Sequence, residues 1–333
     1  MARLIADPSA VLATPGSFNT PLGVSRTINE HLEPAHRFLV VEMGARRRGD
    51  IAELCRLVPP SVALLTAIGP AHLDTFGTLA NVRAAKSEIV SGLAPGGIAV
   101  LNVDDPEVRS VADGIADRRV IRYGLDPGGR PDVTARAVTT GPQGSSLTVV
   151  DAISGEEVSV STRLLGRHAL GHLLGGVAAA LALGRSVSEL AEAIASLEPV
   201  EHRLQLIPGT GGIIVIDDAY NSNPQGAAAA LEVLAAMPAA KRVVVTPGIV
   251  ELGAQQSEAN RELGAHAARV ADAIIVVAPV NRAALSAGVR SAGNGALLVT
   301  VDSLKEAEAE LGRLLGPGDA VLFENDLPDH YEG

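Results

Sequence analysis

Short apolar runs alternate with segments of helical spacing along most of the chain. Residues 38–41 form a continuous apolar run that ends in Glu42, and residues 61–66 and 97–101 form similar runs. A run without polar alternation is typical of a strand that is buried on both faces. Between these runs, the segment 79–93 has the spacing of a helix. This alternation predicts an α/β fold with a mostly parallel sheet.

The pattern changes twice, and these changes predict the domain organisation. Residues 133–160 are rich in β-forming side chains and carry a turn at Ser154-Gly155, which predicts an antiparallel hairpin appended to the first sheet. We expect residues 1–198 to form a mostly parallel central sheet domain with this β-hairpin addition, and residues 199–333 to form a smaller Rossmann-like α/β domain. In the second domain, strands are predicted at residues 213–216, 242–245, 273–277, 297–301 and 320–323.

Composition narrows the class of protein. The 333 residues, 47% of them apolar, suffice for about two ordinary domains. The 27 basic and 38 acidic residues argue against a nucleic-acid ligand, which is held largely by clustered Lys and Arg. The only cysteine, Cys55, cannot form an internal disulfide, which suits a core position in a reducing compartment. Residues 1–13 lack the pattern of a secretion signal, and the weakly polar run 173–184 is too short to span a bilayer, so we expect a cytoplasmic protein.

A first polar cluster follows two neighbouring predicted strands. Glu42 closes one strand, and His72 lies just past the end of the next. Ligands gather at the carboxyl ends of parallel strands, and a carboxylate with a neutral imidazole suits a hydrated Mg²⁺ ion. Each residue also has an ordinary explanation: Glu42 as a helix cap, His72 as a hydrogen-bonded loop residue, and Lys86 as a solvated lysine on the helix that follows.

A second polar cluster, residues 217–224, comes directly after the predicted strand 213–216. Pro224 favours the first position of a helix, which makes Asn223 the expected N-cap and leaves Asp218 available for a ligand. Further upstream, the basic run at residues 46–48 could meet an anionic substrate, or it could be a solvated turn.

These clusters lie within a series of segments that resembles the Mur ligase family in order and spacing. The similarity covers about residues 11–270, and the tail at 322–329 resembles that of a less characterised branch of the family, as does the segment 246–253. The segments that carry it are TPGSFNTPLG at 14–23, VEMGA at 41–45, IGPAHLD at 68–74, AKSEI at 85–89, LNVDDP at 101–106, LGRH at 165–168, EHRLQ at 201–205 and DDAYNSNP at 217–224.

The resemblance implies an ATP-dependent amide-bond ligase that works through an acyl phosphate on a cell-wall peptide precursor or a related substrate. It makes the first domain an ATPase-type sheet domain and implies ATP and Mg²⁺ as cofactors. Glu42, His72 and Lys86 match the metal-associated residues, and Lys86 also matches a lysine that family members carbamylate. With these three, Asn19 is an implied catalytic residue. The implied nucleotide-binding residues are Asn19, His172, Arg203, Asp218, Tyr220 and Asn221.

The sequence also departs from the family pattern. No Gly-Lys-Thr or Gly-Lys-Ser phosphate-binding motif occurs in the 333 residues, and the family's N-terminal domain has no counterpart. Ala67, Ala169 and His172 stand where the family usually has Asn. Two explanations remain open: a longer polypeptide supplies the loop, or the chain is an inactive pseudo-ligase or binding subunit that needs a partner chain. A nicotinamide-dependent oxidoreductase is excluded, because no G-x-G-x-x-G follows a predicted strand.

Overall fold

Parallel strands flanked by helices make up most of the computed structural model, which describes residues 1–69, 73–220 and 222–326. The chain divides into two compact units. The first contains Met1–Val138, Leu147–Ser161 and Leu170–Leu197, and the second contains Thr139–Ser146, Thr162–Ala169 and the chain from Glu198 onward. The predicted α/β fold with two mostly parallel sheet regions is confirmed.

The elements of the amino-terminal half follow the predicted alternation, with extra short strands. They are α1 (Ala2–Ile5), β1 (Val11–Ala13), α2 (Pro21–His31), β2 (Phe38–Val40), α3 (Asp50–Leu57), β3 (Val62–Leu65), α4 (Leu73–Phe76), α5 (Leu79–Ser91), β4 (Ile98–Asn102), α6 (Pro106–Asp113), β5 (Arg119–Tyr123), β6 (Val133–Gly141), β7 (Gly144–Asp151), β8 (Glu156–Thr162), α7 (Gly166–Ala182) and α8 (Val187–Ala195).

The region predicted as one hairpin consists of three strands, β6, β7 and β8. A second tight connection divides its first half, and Gly144 makes that connection possible. Gly144 has φ of +114°, and a Cβ there would lie 2.0 Å from the carbonyl oxygen of Thr162. Only glycine fits such a backbone position, so its presence in the sequence was the signal for the extra turn.

The strands of the first unit do not form one continuous sheet. Strands β1 and β2 pair in parallel as a two-stranded sheet, while a second sheet has the order β3-β4-β5-β6-β7-β8. A cavity of about 620 Å³ lies against both β2 and β3. The three residues of β2 are therefore only half-buried. The prediction that this apolar run is buried on both faces was wrong, because the run lies at the edge of a small sheet.

The second unit is a doubly wound sheet with helices on both faces. Its strand order is β13-β12-β11-β14-β10-β9, in which every pair is parallel except β9 with β10. Alternate strand residues pack against α9, α10 and α11 on one face and against α12 on the other. Its elements are β9 (Gln205–Pro208), β10 (Ile214–Asp218), α9 (Pro224–Ala236), β11 (Arg242–Thr246), α10 (Gln256–Val270), β12 (Ala273–Val277), α11 (Arg282–Ala292), β13 (Leu297–Val301), α12 (Leu304–Leu314) and β14 (Ala320–Glu324).

Two expectations about apolar residues are met by the structure. Cys55 is a free thiol with 3% of its surface exposed, on the buried face of α3. The weakly polar run that begins at residue 173 lies in α7, where most of its side chains are buried. Within the part of the chain that the structure describes, no helix has the length and apolar character needed to cross a membrane.

Helices α10 and α11 approach each other at two glycines. A Cβ at Gly264 would lie 2.3 Å from the carbonyl oxygen of Leu285, and one at Gly288 would lie 2.0 Å from that of Arg261. Each position therefore faces backbone, which cannot move aside as a flexible side chain can. The close contact of these helices depends on both residues having no side chain.

We expect Gly288→Ala to lower the free energy of unfolding by about 1–3 kcal/mol, the usual cost of overpacking. Gly312→Ala is the matched control, since a Cβ at Gly312 in α12 would meet no described atom within 4 Å. Alanine there should raise stability by about 0.5–1 kcal/mol through helix propensity. Urea unfolding followed by circular dichroism measures both, and equal effects of the two substitutions would contradict the packing argument.

Candidate functional site

Asn19 and Glu42 lie in direct contact at the carboxyl end of β2. The Asn19 side-chain amide donates to Glu42 Oε1 at 3.1 Å, and the Glu42 backbone N–H donates to Thr14 Oγ1 at 3.1 Å. The Gly44 backbone N–H donates to the Asn19 carbonyl oxygen at 3.0 Å. A Cβ at Gly44 would lie 2.9 Å from Asn19 Cγ, so glycine is needed for this approach. The structure thus brings together two of the residues predicted from the sequence.

Lys86 reaches the carboxyl end of the neighbouring strand from helix α5. Its side chain is half-buried, and Nζ donates to the carbonyl oxygen of Ala67 at 3.1 Å, just past β3. Glu42 and Lys86 both line the cavity that lies against β2 and β3. His72 lies outside the described residues, so its convergence with these two side chains stays a prediction.

Two residues that the sequence analysis did not single out hold the segment after β3. The Asn102 side-chain amide donates to the Thr66 carbonyl oxygen at 2.8 Å, and the Ile68 backbone N–H donates to Asp105 Oδ2 at 3.2 Å. Asp105 also caps α6 through its other oxygen. Both residues fall in the segment LNVDDP, which the sequence analysis identified without assigning a role to either residue.

In the second unit, the segments EHRLQ and DDAYNSNP meet. His202 Nδ1 lies 2.6 Å from Asp217 Oδ2, and the Leu204 backbone N–H donates to Asp218 Oδ1 at 3.0 Å. The Arg203 guanidinium lies 4.6 Å from the centre of the Tyr220 ring, a cation–π distance. Arg203, Asp218 and Tyr220, all predicted to bind nucleotide, therefore lie on one local surface.

The other two predicted nucleotide-binding residues are placed differently. His172 is exposed on α7 and belongs to the first unit. Asn221 lies outside the described residues. Asn223 caps α9 by accepting from the Gly226 backbone N–H at 2.9 Å, as the sequence indicated.

The backbone of the EHRLQ segment is strained. His202 has φ of +58° and Leu204 has φ of +47°, a region that side-chain-bearing residues seldom adopt. Such conformations cost about 1–3 kcal/mol each and persist only where surrounding contacts enforce them. Here Asp217 holds the His202 ring and Asp218 holds the Leu204 N–H. The two acids at the end of β10 thus fix the segment that presents Arg203.

A buried acid at the next strand end was not predicted as part of the site. Glu324 closes β14 with no exposed surface, and Asp218 and Glu324 are register partners in the parallel pair β10–β14. Ser222 Oγ donates to Glu324 Oε1 at 2.5 Å. Burial, followed by the charge of Asp218, raises the pKa of Glu324 to about 8. The signal in the sequence was an acid that directly follows the apolar run of a central strand.

Comparison with known proteins decides the family. The family model of the Mur ligase middle domain matches residues 1–180, and that of the Mur ligase glutamate ligase domain matches residues 202–324. The first match alone covers more than half of the chain. The chain belongs to the Mur ligase family.

Its relatives include longer proteins of one named activity. UDP-N-acetylmuramoyl-tripeptide–D-alanyl-D-alanine ligase of Mycobacterium tuberculosis is 33% identical across 97% of this chain and 66% of the relative. The Escherichia coli protein of the same name is 32% identical across 79% of this chain and 57% of the relative. This Mur ligase chain therefore spans between about half and two thirds of the length of these relatives.

Solved structures agree with this assignment. MurF from Acinetobacter baumannii superposes with a TM-score of 0.79 and 27% identity, covering 97% of this chain and 69% of that one. MurF ligase from Thermotoga maritima, solved in complex with ADP, gives a TM-score of 0.78 and 26% identity across 98% of this chain and 72% of that one. Mur ligases use ATP, and the ADP complex belongs to a member that shares this fold.

The contact with Asp217 should make His202 easier to protonate than an ordinary histidine. The hydrogen bond with Asp217, followed by the negative charge of Asp217, raises the pKa of His202. A raised folded-state pKa stabilises the fold below the unfolded value, and this contribution is lost as pH rises through the folded value. We expect Asp217→Asn to lower the pKa of His202, measured by NMR titration of the imidazole.

His266 serves as the internal control for this titration. Burial lowers the pKa of His266, so it should titrate below His202 in the wild-type protein. Asp217→Asn should leave the pKa of His266 unchanged. Identical His202 titrations with and without the Asp217 carboxylate would show that the contact does not hold in solution.

Proposed function

We propose that this chain provides the ATP-binding and C-terminal parts of an ATP-dependent carbon–nitrogen ligase, with residues 1–198 and 199–333 as the two domains. The proposed substrate is the carboxylate of a UDP-muramoyl peptide, and the proposed nucleophile is the amine of D-alanyl-D-alanine, as in the names of its relatives. The observation that carries the proposal is that Glu42 and Lys86 line one cavity beside β2 and β3, where Asn19 donates a hydrogen bond to Glu42.

The proposed reaction has two steps. The substrate carboxylate attacks the γ-phosphorus of ATP, which forms an acyl phosphate and releases ADP. The amine nitrogen then attacks the acyl carbon, phosphate leaves with its bonding electrons, and the nitrogen loses a proton. Both steps develop negative charge on phosphate oxygens, which a cation or an N–H donor at the carboxyl ends of the strands can stabilise.

The donor set at Glu42 fits Mg²⁺ as the accompanying ion. In the described residues, no group of three or more His, Cys, Asp or Glu side chains is placed to hold a metal. A single exposed carboxylate suits Mg²⁺, which keeps several waters and takes one or two carboxylates with the substrate's phosphates. Glu42 would hold the ion, Asn19 would fix the orientation of Glu42, and Mg²⁺ when bound would neutralise phosphate charge.

Lys86 is proposed to act as a carbamate formed with CO₂. The carbamate forms when the neutral amine attacks the carbon of CO₂ and the nitrogen loses a proton. Lys86 is half-buried, and its contact with the Ala67 carbonyl holds the amine at the cavity. The product would be an anion at a position where the unmodified lysine places a positive charge. Such an anion would supply a second oxygen ligand beside Glu42.

In the second unit, Arg203, Asp218 and Tyr220 are proposed to contact the nucleotide away from the transferred phosphate. The Asp218 carboxylate can accept hydrogen bonds from sugar hydroxyls. Tyr220 is 67% exposed beneath the Arg203 guanidinium, which leaves ring surface available to a planar group. We propose no role for the exposed His172 beyond the one that family resemblance implies.

The phosphate-binding loop is proposed to come from polypeptide outside these 333 residues, either in the same chain or in a partner. Among the described residues, no strand pairs with the edges of β2 and β3 that border the cavity. The cavity lining is largely aliphatic, with Ile5, Val40 and Leu64 among the side chains. These features suit an extended apolar segment that pairs with both edges and leads into a loop near Glu42 and Lys86.

We expect residues 1–333 alone to bind ATP weakly and to show no ligase turnover. Each charge-assisted hydrogen bond of a phosphate loop contributes about 1.5–3 kcal/mol, and about 1.4 kcal/mol corresponds to a tenfold change in affinity. Calorimetry with ATP and Mg²⁺ should show affinity rising by several decades when the strand and loop of a MurF relative precede Met1. Low-micromolar binding by the 333 residues alone would contradict the requirement for this loop.

Lys86 carbamylation can be tested in the same loop-extended protein. The 333 residues contain three lysines, Lys86, Lys241 and Lys305. With ¹³C-labelled bicarbonate, we expect a carbamate NMR signal that Lys86→Arg removes together with turnover. Lys241→Arg is the control, because Lys241 Nζ also donates to a backbone carbonyl, that of Leu314 at 2.7 Å. A signal that survives Lys86→Arg would exclude this role.

A further inference from the structure

Two carboxyl groups lie side by side at the ends of β10 and β14. Asp218 and Glu324 are register partners in this parallel pair, and the Asn325 backbone N–H donates to the Asp218 carbonyl oxygen at 3.1 Å. Their side chains interact directly. Two adjacent carboxylates, one of them fully buried, cannot both be ionised without strong repulsion, so one of the two holds a proton.

The environment of each group determines which one holds the proton. Glu324 has no exposed surface, and its Oε2 is buried without a donor among the described residues. Burial raises the pKa of Asp218 as well, but Asp218 is only half-buried, accepts from the Leu204 N–H and lies near the Arg203 guanidinium, two contacts that favour its charged form. If Glu324 Oε2 carries a proton, this oxygen gains a hydrogen-bond partner, because its hydroxyl can donate to Asp218.

We propose that Glu324 is a positioning residue that carries a proton at neutral pH and donates it to Asp218, fixing that carboxylate as a charged acceptor for substrate hydroxyls. Ser222 completes the arrangement by donating to Glu324 Oε1, so the Glu324 carboxyl group has one accepting and one donating oxygen. The role of Asp218 toward a substrate rests on the proposed function. The presence of a proton on Glu324 does not depend on the proposed function.

The hydrogen bond from Glu324 to Asp218 should therefore exist only below a limiting pH. Burial raises the pKa of Glu324 to about 8, far above the value of an unfolded glutamate. The folded state therefore binds one proton more than the unfolded state between about pH 4.5 and pH 8, and this group makes stability fall as pH rises across that interval. Above it, Glu324 and Asp218 repel each other, and Asp218 loses its donor.

Three other charged groups lie near the pair and have different partners. Asp217 is held by His202, whose pKa it raises, and the Arg203 guanidinium lies near Asp218. Asp326 faces His202 and adds negative charge. Because burial also raises the pKa of Asp218, the Glu324→Gln variant is used to assign a carboxyl titration near pH 8 to Glu324.

The first experiment needs no ligand and uses the chain itself. ¹³C-detected NMR of side-chain carboxyls should show Glu324 titrating near pH 8, and the Leu204 amide resonance should shift with the same midpoint because it reports the Asp218 carboxylate. In Glu324→Gln, the amide mimics the protonated acid, and the Leu204 shift should vanish. Titration of Glu324 in the ordinary acidic range, or a Leu204 resonance that ignores Glu324, would overturn the proposal.

The second experiment measures the effect on nucleotide binding in the loop-extended protein. Glu324→Gln should bind ATP as wild type does at pH 7 and keep that affinity at pH 9, where wild-type affinity should fall by about tenfold, the loss of one hydrogen bond to a charged group. Glu324→Leu should be weak at both pH values. Equal pH profiles for wild type and Glu324→Gln would refute the positioning role, whereas no ATP binding by wild type would refute only the proposed function.

Discussion

Parallel strand pairing is the constraint on which both polar clusters depend. A parallel register brings the carboxyl ends of neighbouring strands to the same edge of a sheet, whatever their separation along the chain. Asp218 and Glu324 are more than one hundred residues apart, yet the register of β10 with β14 makes them partners. In the first unit, the parallel pair β1–β2 similarly brings Thr14 beside the backbone of Glu42. The side chains that can do chemistry are positioned by backbone hydrogen bonds between apolar strands.

The sequence predicted the regular part of the fold well, because buried parallel strands have an unambiguous apolar pattern. Strands β12 and β13 have the predicted bounds, and β11 and β14 extend one residue beyond them. The prediction failed where burial depends on a neighbour that the pattern cannot specify. Strand β2 has the same apolar run as a central strand, but it lies at the edge of a two-stranded sheet beside a cavity. After β5 the structure has three strands where one hairpin was predicted, because the turn at Gly144 lies within a long β-rich stretch.

The candidate sites were predictable to different degrees for a related reason. Glu42, Asn19 and Lys86 stand out as polar residues that follow apolar runs or lie in recognisable segments, and each of their contacts is local to the end of one strand, β2 or β3. Glu324 has the same kind of position, but its importance depends on being buried beside Asp218. Burial of an acid and the identity of its neighbour follow from strand order. Strand order in a doubly wound sheet cannot be deduced from the spacing of apolar residues along one chain.

The two clusters also differ in how much water surrounds their charges, and this difference determines what each can do. Glu42 is exposed, so its charge is stabilised by water, and it can exchange that water for a hydrated cation at little cost. Glu324 is fully buried beside the half-buried Asp218, so a second negative charge is costly and a proton is retained instead. The buried member therefore suits this carboxyl pair to directing a hydrogen bond rather than to holding a metal ion. The strained backbone at His202 and Leu204 is anchored to the same pair of adjacent acids, Asp217 and Asp218, so a fixed Asp218 carboxylate also fixes the segment that presents Arg203.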